Sequence, residues 1–446
     1  MASQDILIEN GTLLDGTGAD PRPDTAVLLS GDEIVALGQA AVDAVQQRDD
    51  VQRIDAAGKT VMPGLVDCHS HMTFAEPEGN DELFFHRTEG YSAMVAAWNA
   101  EKVLRAGVTA LLDPDSLWNL GVELRDAIES NVVLGPRMKA GGNALMTAVG
   151  GTAGRLIKDD GRTGYGVVVH SRDEIVTEVR KQVKYGADWI KVHVTGLIPT
   201  RPGKEISVWT LDELKAVVDT AHDLGIPVVG HARNAESTRD SALAGMDLIY
   251  HTSYMDGEAL EAVVESGTTL CPTFTLLGNL ADWGVKVGTA PELLDVFRAE
   301  IEVTAQMVRK AHEAGVRVVA GSETGFAITP YGVWHARELE MLVDYMGFSP
   351  MEAILSATRD AAAALGWEDL GTLEVGRRAD VLVIDGDPLA DVKVLQDPAR
   401  IEEVISRGVV VDRSRPMRER KVMPGEKVRF LAARTLTREL AFGDAD

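Results

Sequence analysis

Met62-Pro63-Gly64-Leu65-Val66-Asp67-Cys68-His69-Ser70-His71 is the stretch around which the rest of the chain can be read. Val61 to Val66 is apolar and rich in β-branched residues, as in a buried strand, and Pro63-Gly64 punctuates its entry. Side chains alternate between the two faces of a strand, so His69 and His71 share one face while Cys68 and Ser70 share the other. Two imidazoles about 7 Å apart on one face, at the C-terminal end of a buried strand, suit two ligands of a single metal ion.

Composition bounds what such a site can serve. The chain has 446 residues, 45% hydrophobic and 25% charged, which suits a globular enzyme with a large core and one smaller domain. A net charge of −25 argues against nucleic acid and anionic membranes as partners, because both repel an acidic surface. Cys68 and Cys271 are the only cysteines and fall in separate strand candidates, which points to a reducing compartment. Residues 1–10 lack a basic segment followed by an apolar run, and no stretch reaches the ~18 apolar residues of a membrane helix. The expected location is cytoplasmic.

Strand and helix patterns alternate through the middle of the chain. Strand candidates are Leu65–His71, Val108–Asp113, Arg137–Gly142, Trp189–Thr195, Pro227–His231, Leu248–His251, Thr269–Phe274 and Val316–Glu323. Helical stretches lie between them, and several close on Gly107, Gly186, Gly225, Gly267 or Gly315 just before the next strand. Eight such units predict an α/β fold with a (β/α)8 TIM-type barrel over residues 62–372; a doubly wound sheet is the alternative from pattern alone. Residues 5–60 read as short strands too few to hold a core by themselves. Ala379–Ile384 and Val404–Val411 have the same character. Residues 1–61 and 373–446 are therefore expected to form a small composite β-sandwich domain.

Chemistry in such a barrel gathers at the C-terminal ends of the strands. His69, His71, Lys191, His193, His231, His251 and Glu323 all fall there. Lys191 sits among apolar neighbours in Asp188-Trp189-Ile190-Lys191-Val192-His193, and an ammonium is seldom buried unless it is paired or modified.

These motifs resemble the amidohydrolase superfamily, in its imidazolonepropionase/prolidase-like branch. Pro63 to His71 is similar to the Pro-Gly-φ-φ-Asp-x-His-x-His signature opening that family's barrel, and Ala187 to Gly196 to the motif around its carboxylated lysine. The resemblance implies a divalent metal centre holding one or two ions, with His69, His71, carboxylated Lys191, His231, His251 and Glu323 as ligands. Zinc suits these ligands, with cobalt, manganese and iron open. Ala320-Gly321-Ser322-Glu323-Thr324-Gly325 departs from the family pattern, which has aspartate where this chain has Glu323. Direct ligation, proton transfer without ligation and a single-metal site all stay open for that carboxylate.

The implied catalytic residues are Glu323 as proton shuttle, Lys191 and His193; a supporting role for His193 is equally open. The expected substrate contacts are Met146, Thr152, His193, Phe274 and Phe326. Thr152 follows a glycine pair after which relatives often carry histidine. Met72, Phe74, Leu145, Trp283, Tyr331 and Trp334 complete a mostly apolar expected rim, suited to a neutral small-molecule substrate.

Within the superfamily the chain looks most like the phenylurea and molinate (thiocarbamate) hydrolases. The implied reaction is hydrolysis of a C–N or C–S bond in a neutral amide, urea or (thio)carbamate. A dipeptidase, prolidase or ochratoxin-type amidase is the enzyme alternative, and a catalytically silent scaffold the non-enzyme one. The resemblance spans roughly residues 5–412, and a homo-oligomer is expected. The Arg-rich segment 412–446 lies beyond it and reads as an interaction tail or subunit contact.

Overall fold

The computed structural model describes residues 4–78, 88–149, 162–196 (162 and 163 in backbone only), 205–421, 432 and 434–443. Thr152 lies outside the described residues.

The glycines that were expected to stop helices do so. The helices Glu89–Arg105, Arg172–Lys184, Leu211–His222, Gly257–Ser266 and Pro291–Glu313 are each followed by a glycine at positive φ, between 67° and 94°. Their starts are equally explicit. Ser171, Thr210 and Asp256 accept hydrogen bonds from backbone N–H groups of the first turn, and Thr210 and Glu213 form a reciprocal capping box.

Between the helices lie parallel strands. Leu65–Asp67, Val108–Asp113 and Arg137–Ala140 form one run. Ala144–Met146, Ile190–His193, Val228–Ala232, Leu248–His251 and Thr269–Cys271 form a second. Isolated parallel bridges connect them: Gly141 with Trp189, Leu270 with Val318, and Ser70 with Thr324. The eighth expected strand is thus carried by bridging residues, because the chain from Ser322 onward turns into the site instead of continuing a ladder. Two other expectations shorten. The first strand ends at Asp67, and the seventh stops at Cys271, after which Phe274–Trp283 is a helix.

Both chain ends meet in one five-stranded sheet, in which Thr60–Pro63 pairs antiparallel with Val381–Ile384 and parallel with Thr12–Leu13. One apolar cluster joins Ile6, Ile8, Val27 and Val61 to Val381, Val383 and Ile405. The described part of the C-terminal segment packs on the same chain: Leu436 N–H donates to Ala327 O, and Trp334 Nε1 donates to Leu436 O. No helix among the described residues is long and apolar enough to cross a membrane.

Candidate active site

Asp67 builds the floor of the site. Its Oδ1 accepts the backbone N–H groups of His69 and Ser322, both at 3.0 Å, and its Oδ2 accepts Ser322 Oγ at 2.5 Å and faces His335 Nδ1 at 2.7 Å. Full burial pushes this carboxyl up, yet His335 and Ser322 hold it below the usual carboxylate range. One ionised side chain thereby clamps the end of the first strand to Ala320–Gly325 and sets His69 and His71 beside Glu323. The clamp needs small residues: a Cβ on Gly321 would meet His69 Cβ at 2.8 Å, and one on Gly325, at φ 133°, would meet His71 O at 2.7 Å.

Each histidine is then oriented by its surroundings. His69 stacks on Tyr250, with centroids 3.6 Å apart, and its Nδ1 lies 3.1 Å from Thr273 Oγ1. That leaves Nε2, buried and without a hydrogen-bond partner, to face the site. His71 stacks on Phe74 at 4.1 Å, its carbonyl accepts Tyr331 Oη–H at 2.5 Å, and its Nδ1 lies 2.8 Å from Asp115 Oδ1. Donor atoms of His69, His71 and Glu323 all lie within 4.8 Å of one another.

His251 joins this group from the sixth strand. Its Nε2 is 3.8 Å from Glu323 Oε1 and 3.0 Å from His231 Nδ1, while its Nδ1 has no hydrogen-bond partner. His231 is turned further away, its Nε2 against the carbonyl of Gly196, and it stacks on His193. Lys191 Nζ sits 4.2 Å above the Tyr250 ring and 4.0 Å from Asp115 Oδ2. His193 Nε2 lies 3.3 Å from the same Asp115 oxygen.

Burial governs the proton affinities. It pushes His69, His231 and His251 well down, helped by neighbouring cations, so these imidazoles are neutral as metal ligation requires. It lowers His193 to about 4 and Lys191 to about 8, the latter against the opposing pull of Asp115 and Glu323. Glu323 is raised by burial, with the nearby charge of Arg233 working in the other direction.

The donor atoms of His69, His71 and Glu323, with His251 Nε2 3.8 Å from Glu323 Oε1, make a set of nitrogen and oxygen that fits a divalent cation. A buried atom such as His69 Nε2 is costly to leave unsatisfied, and a bound ion would satisfy it.

The expected substrate contacts divide. Phe326 stands edge-on to His71 at 5.9 Å, and His193 lines the site. Met146 packs over Gly166, where an added Cβ would lie 2.8 Å from its Cε. Phe274 begins a helix in the apolar core, with its N–H bound to Glu338 Oε1, and its neighbour Thr273 makes the contact with His69 instead. Two rim residues are corrected. Trp283 and Trp334 pack against each other and against Phe442 of the C-terminal helix, because that helix covers the apolar surface they offer.

Sequence reading missed Asp115 and Arg233. Asp113-Pro114-Asp115 at the end of an apolar strand, and an arginine two residues after His231, were the available signals.

A model of the amidohydrolase family matches residues 60–411. The chain belongs to that family. The ochratoxinase of Aspergillus niger is 27% identical over 427 residues, spanning 90% of this chain and 85% of that one. A solved Xaa-Pro dipeptidase with methionine bound in its active site superposes with a TM-score of 0.79 at 29% identity, covering 91% of this chain and 99% of that chain. Molinate hydrolase (TM-score 0.76, 23% identity, 95% of this chain and all of the other) and phenylurea hydrolase B (0.74, 24%, 92% and 97%) share the fold. At those identities the likeness reaches no further than the fold. The architecture is accordingly an α/β fold of the TIM-barrel type, and this amidohydrolase is a hydrolase.

Proposed function

We propose that this amidohydrolase is metal-dependent and cleaves the C–N bond of a small, neutral amide, urea or (thio)carbamate. The observation that carries the reading is the convergence of buried donor atoms of His69, His71 and Glu323 within 4.8 Å of one another, with His251 Nε2 3.8 Å from Glu323 Oε1. His69, His71, His251 and Glu323 would hold a first divalent ion, zinc by donor chemistry. A carboxylated Lys191, with His231 turned inward, would serve a second. Bound there, a divalent ion supplies Lewis acidity and a water whose pKa falls toward about 7.

The chain's own groups supply the rest. Glu323 takes a proton from the attacking water as its oxygen bonds to the sp² carbon, and returns that proton to the nitrogen as the C–N bond breaks. Asp115 holds His71, His193 and Lys191 in register, while Phe74 and Phe326 offer the apolar wall that a partly aromatic substrate needs. A lysine amine lowered to about 8 is partly neutral at physiological pH, the form that attacks CO2 and loses a proton to become a carbamate.

A second reading, a dipeptidase or ochratoxin-type amidase, is favoured by the similarity to ochratoxinase and to a Xaa-Pro dipeptidase over nine-tenths of this chain. The metal-loaded protein should be screened against phenylureas, thiocarbamates, N-acyl amino acids, dipeptides and lactones. Turnover of ureas or thiocarbamates supports the first reading and turnover of N-acyl amino acids or dipeptides the second. A metal-loaded protein inert toward all of them favours a catalytically silent scaffold. The same preparation, run on a sizing column with light scattering, tests the proposed homo-oligomer.

A further inference from the structure

Arg233 is a fully buried cation that the metal-site reading leaves without a task. It follows the fifth strand, where its backbone N–H donates to Thr195 Oγ1 at 3.0 Å. Its Nη1 donates to Glu300 Oε1 at 2.9 Å, and that oxygen also accepts Ser253 Oγ at 2.5 Å. Glu300 is equally buried, on the helix Pro291–Glu313. Glu300, itself held by Ser253, therefore anchors the guanidinium before it meets Glu323. Its Nη2 then stands 3.7 Å from Glu323 Oε2, and neither atom has a hydrogen-bond partner.

We propose that Arg233, anchored by Glu300, is a positioning residue that selects the orientation of the Glu323 carboxylate. The proposal rests on the reading of Glu323 as the proton carrier. A glutamate free at its outer torsions spreads its oxygens over several rotamers, whereas the planar fork of a fixed arginine offers donors in set directions. With Oε2 drawn to Arg233, Oε1 is the oxygen on the side of His251, 3.8 Å from its Nε2. Glu300 balances the charge of Arg233, so the guanidinium can hold Glu323 without claiming it as its sole counter-ion. The pairing also gives a use to the methylene by which Glu323 exceeds the family's aspartate: shortening the side chain withdraws the carboxylate from Arg233 by one carbon–carbon bond.

Cobalt(II) provides the test, because its visible absorption reports the geometry around the ion without requiring turnover. The full-length protein loaded with Co2+ is compared with Arg233→Met and Arg233→Lys, each alone and combined with Glu323→Gln, after circular dichroism confirms folding. Arg233→Met should change the cobalt bands and lower kcat about 10–100-fold with KM little altered. Arg233→Lys should restore part of both. In the Glu323→Gln background Arg233→Met should add almost nothing, since the group it positions is gone. If Arg233→Met does not fold, Arg233→Met/Glu300→Leu, which removes both charges, takes its place with the same expectation for the bands. Unchanged bands in the folded variant overturn the proposal, as does an equal effect of Arg233→Met with and without Glu323. The proton-carrier reading is judged separately, by the turnover of Glu323→Gln alone.

Discussion

Asp115 Oδ1 lies 2.8 Å from His71 Nδ1, and the other oxygen of the same carboxylate faces His193 Nε2 and Lys191 Nζ. Asp115 is wholly buried, and although burial raises it, the charges of His71 and Lys191 hold it well below the usual carboxylate range. A carboxylate behind a metal-binding imidazole fixes the ring and raises its basicity. Asp115→Asn keeps the shape and removes the charge, so it should weaken metal binding about 10–100-fold, measured by competition with a chelator. Native metal affinity in the folded variant would remove Asp115 from the account.

Glu323→Gln removes the basic oxygen and preserves the side-chain length. The chemical step should slow by about 10²–10⁴-fold, with metal content changing far less than in His69 or His71 variants. Single-turnover rates alongside metal analysis separate the two effects. Near-native turnover at full metal occupancy would shift the proton-transfer role to His193.

Lys191→Ala should lose metal and activity, with partial rescue by bicarbonate or short carboxylic acids. Electron density for the metal-loaded enzyme should show a forked extension on Lys191 Nζ. An unmodified side chain in fully active crystals would count against carboxylation.

Glu338 predicts a pH effect on stability. Burial raises its carboxyl to about 7, against hydrogen bonds from Thr275 and from the N–H of Phe274. Between about pH 4.5 and pH 7 the folded state keeps a proton that the unfolded chain has lost, so stability from this group falls as pH rises through that window. A shift of this size corresponds to about 3 kcal/mol. Urea unfolding of the wild type and of Glu338→Gln at pH 5 and pH 8 should show the wild type losing roughly that much more on going to pH 8. Parallel curves would contradict the assignment.

What was legible in the sequence follows from how local each signal is. His69 and His71 could be paired from strand alternation within a few residues, and the helix ends from single glycines. Although the first strand stops at Asp67, the bridge between Ser70 and Thr324 preserves the alternation, and the two rings come within 4.9 Å. Asp115 and Arg233 were not legible because the meaning of each lies in a partner brought from a distant element. A charged residue after an apolar strand looks the same whether it meets His71, Glu300 or solvent. Trp283 and Trp334 were misplaced for the converse reason: the helix Arg438–Phe442 that covers them lies beyond the part of the chain where the resemblance holds.

The central claim is that His69, His71, His251 and Glu323 hold a divalent ion on which hydrolysis depends. Elemental analysis of the purified protein, joined to a turnover assay before chelation, after chelation and after metal is restored, tests it most directly. At least about one ion per chain is expected, with activity lost on chelation and regained on reloading. Protein that carries less than about one ion per chain and keeps its activity in the chelator would contradict it.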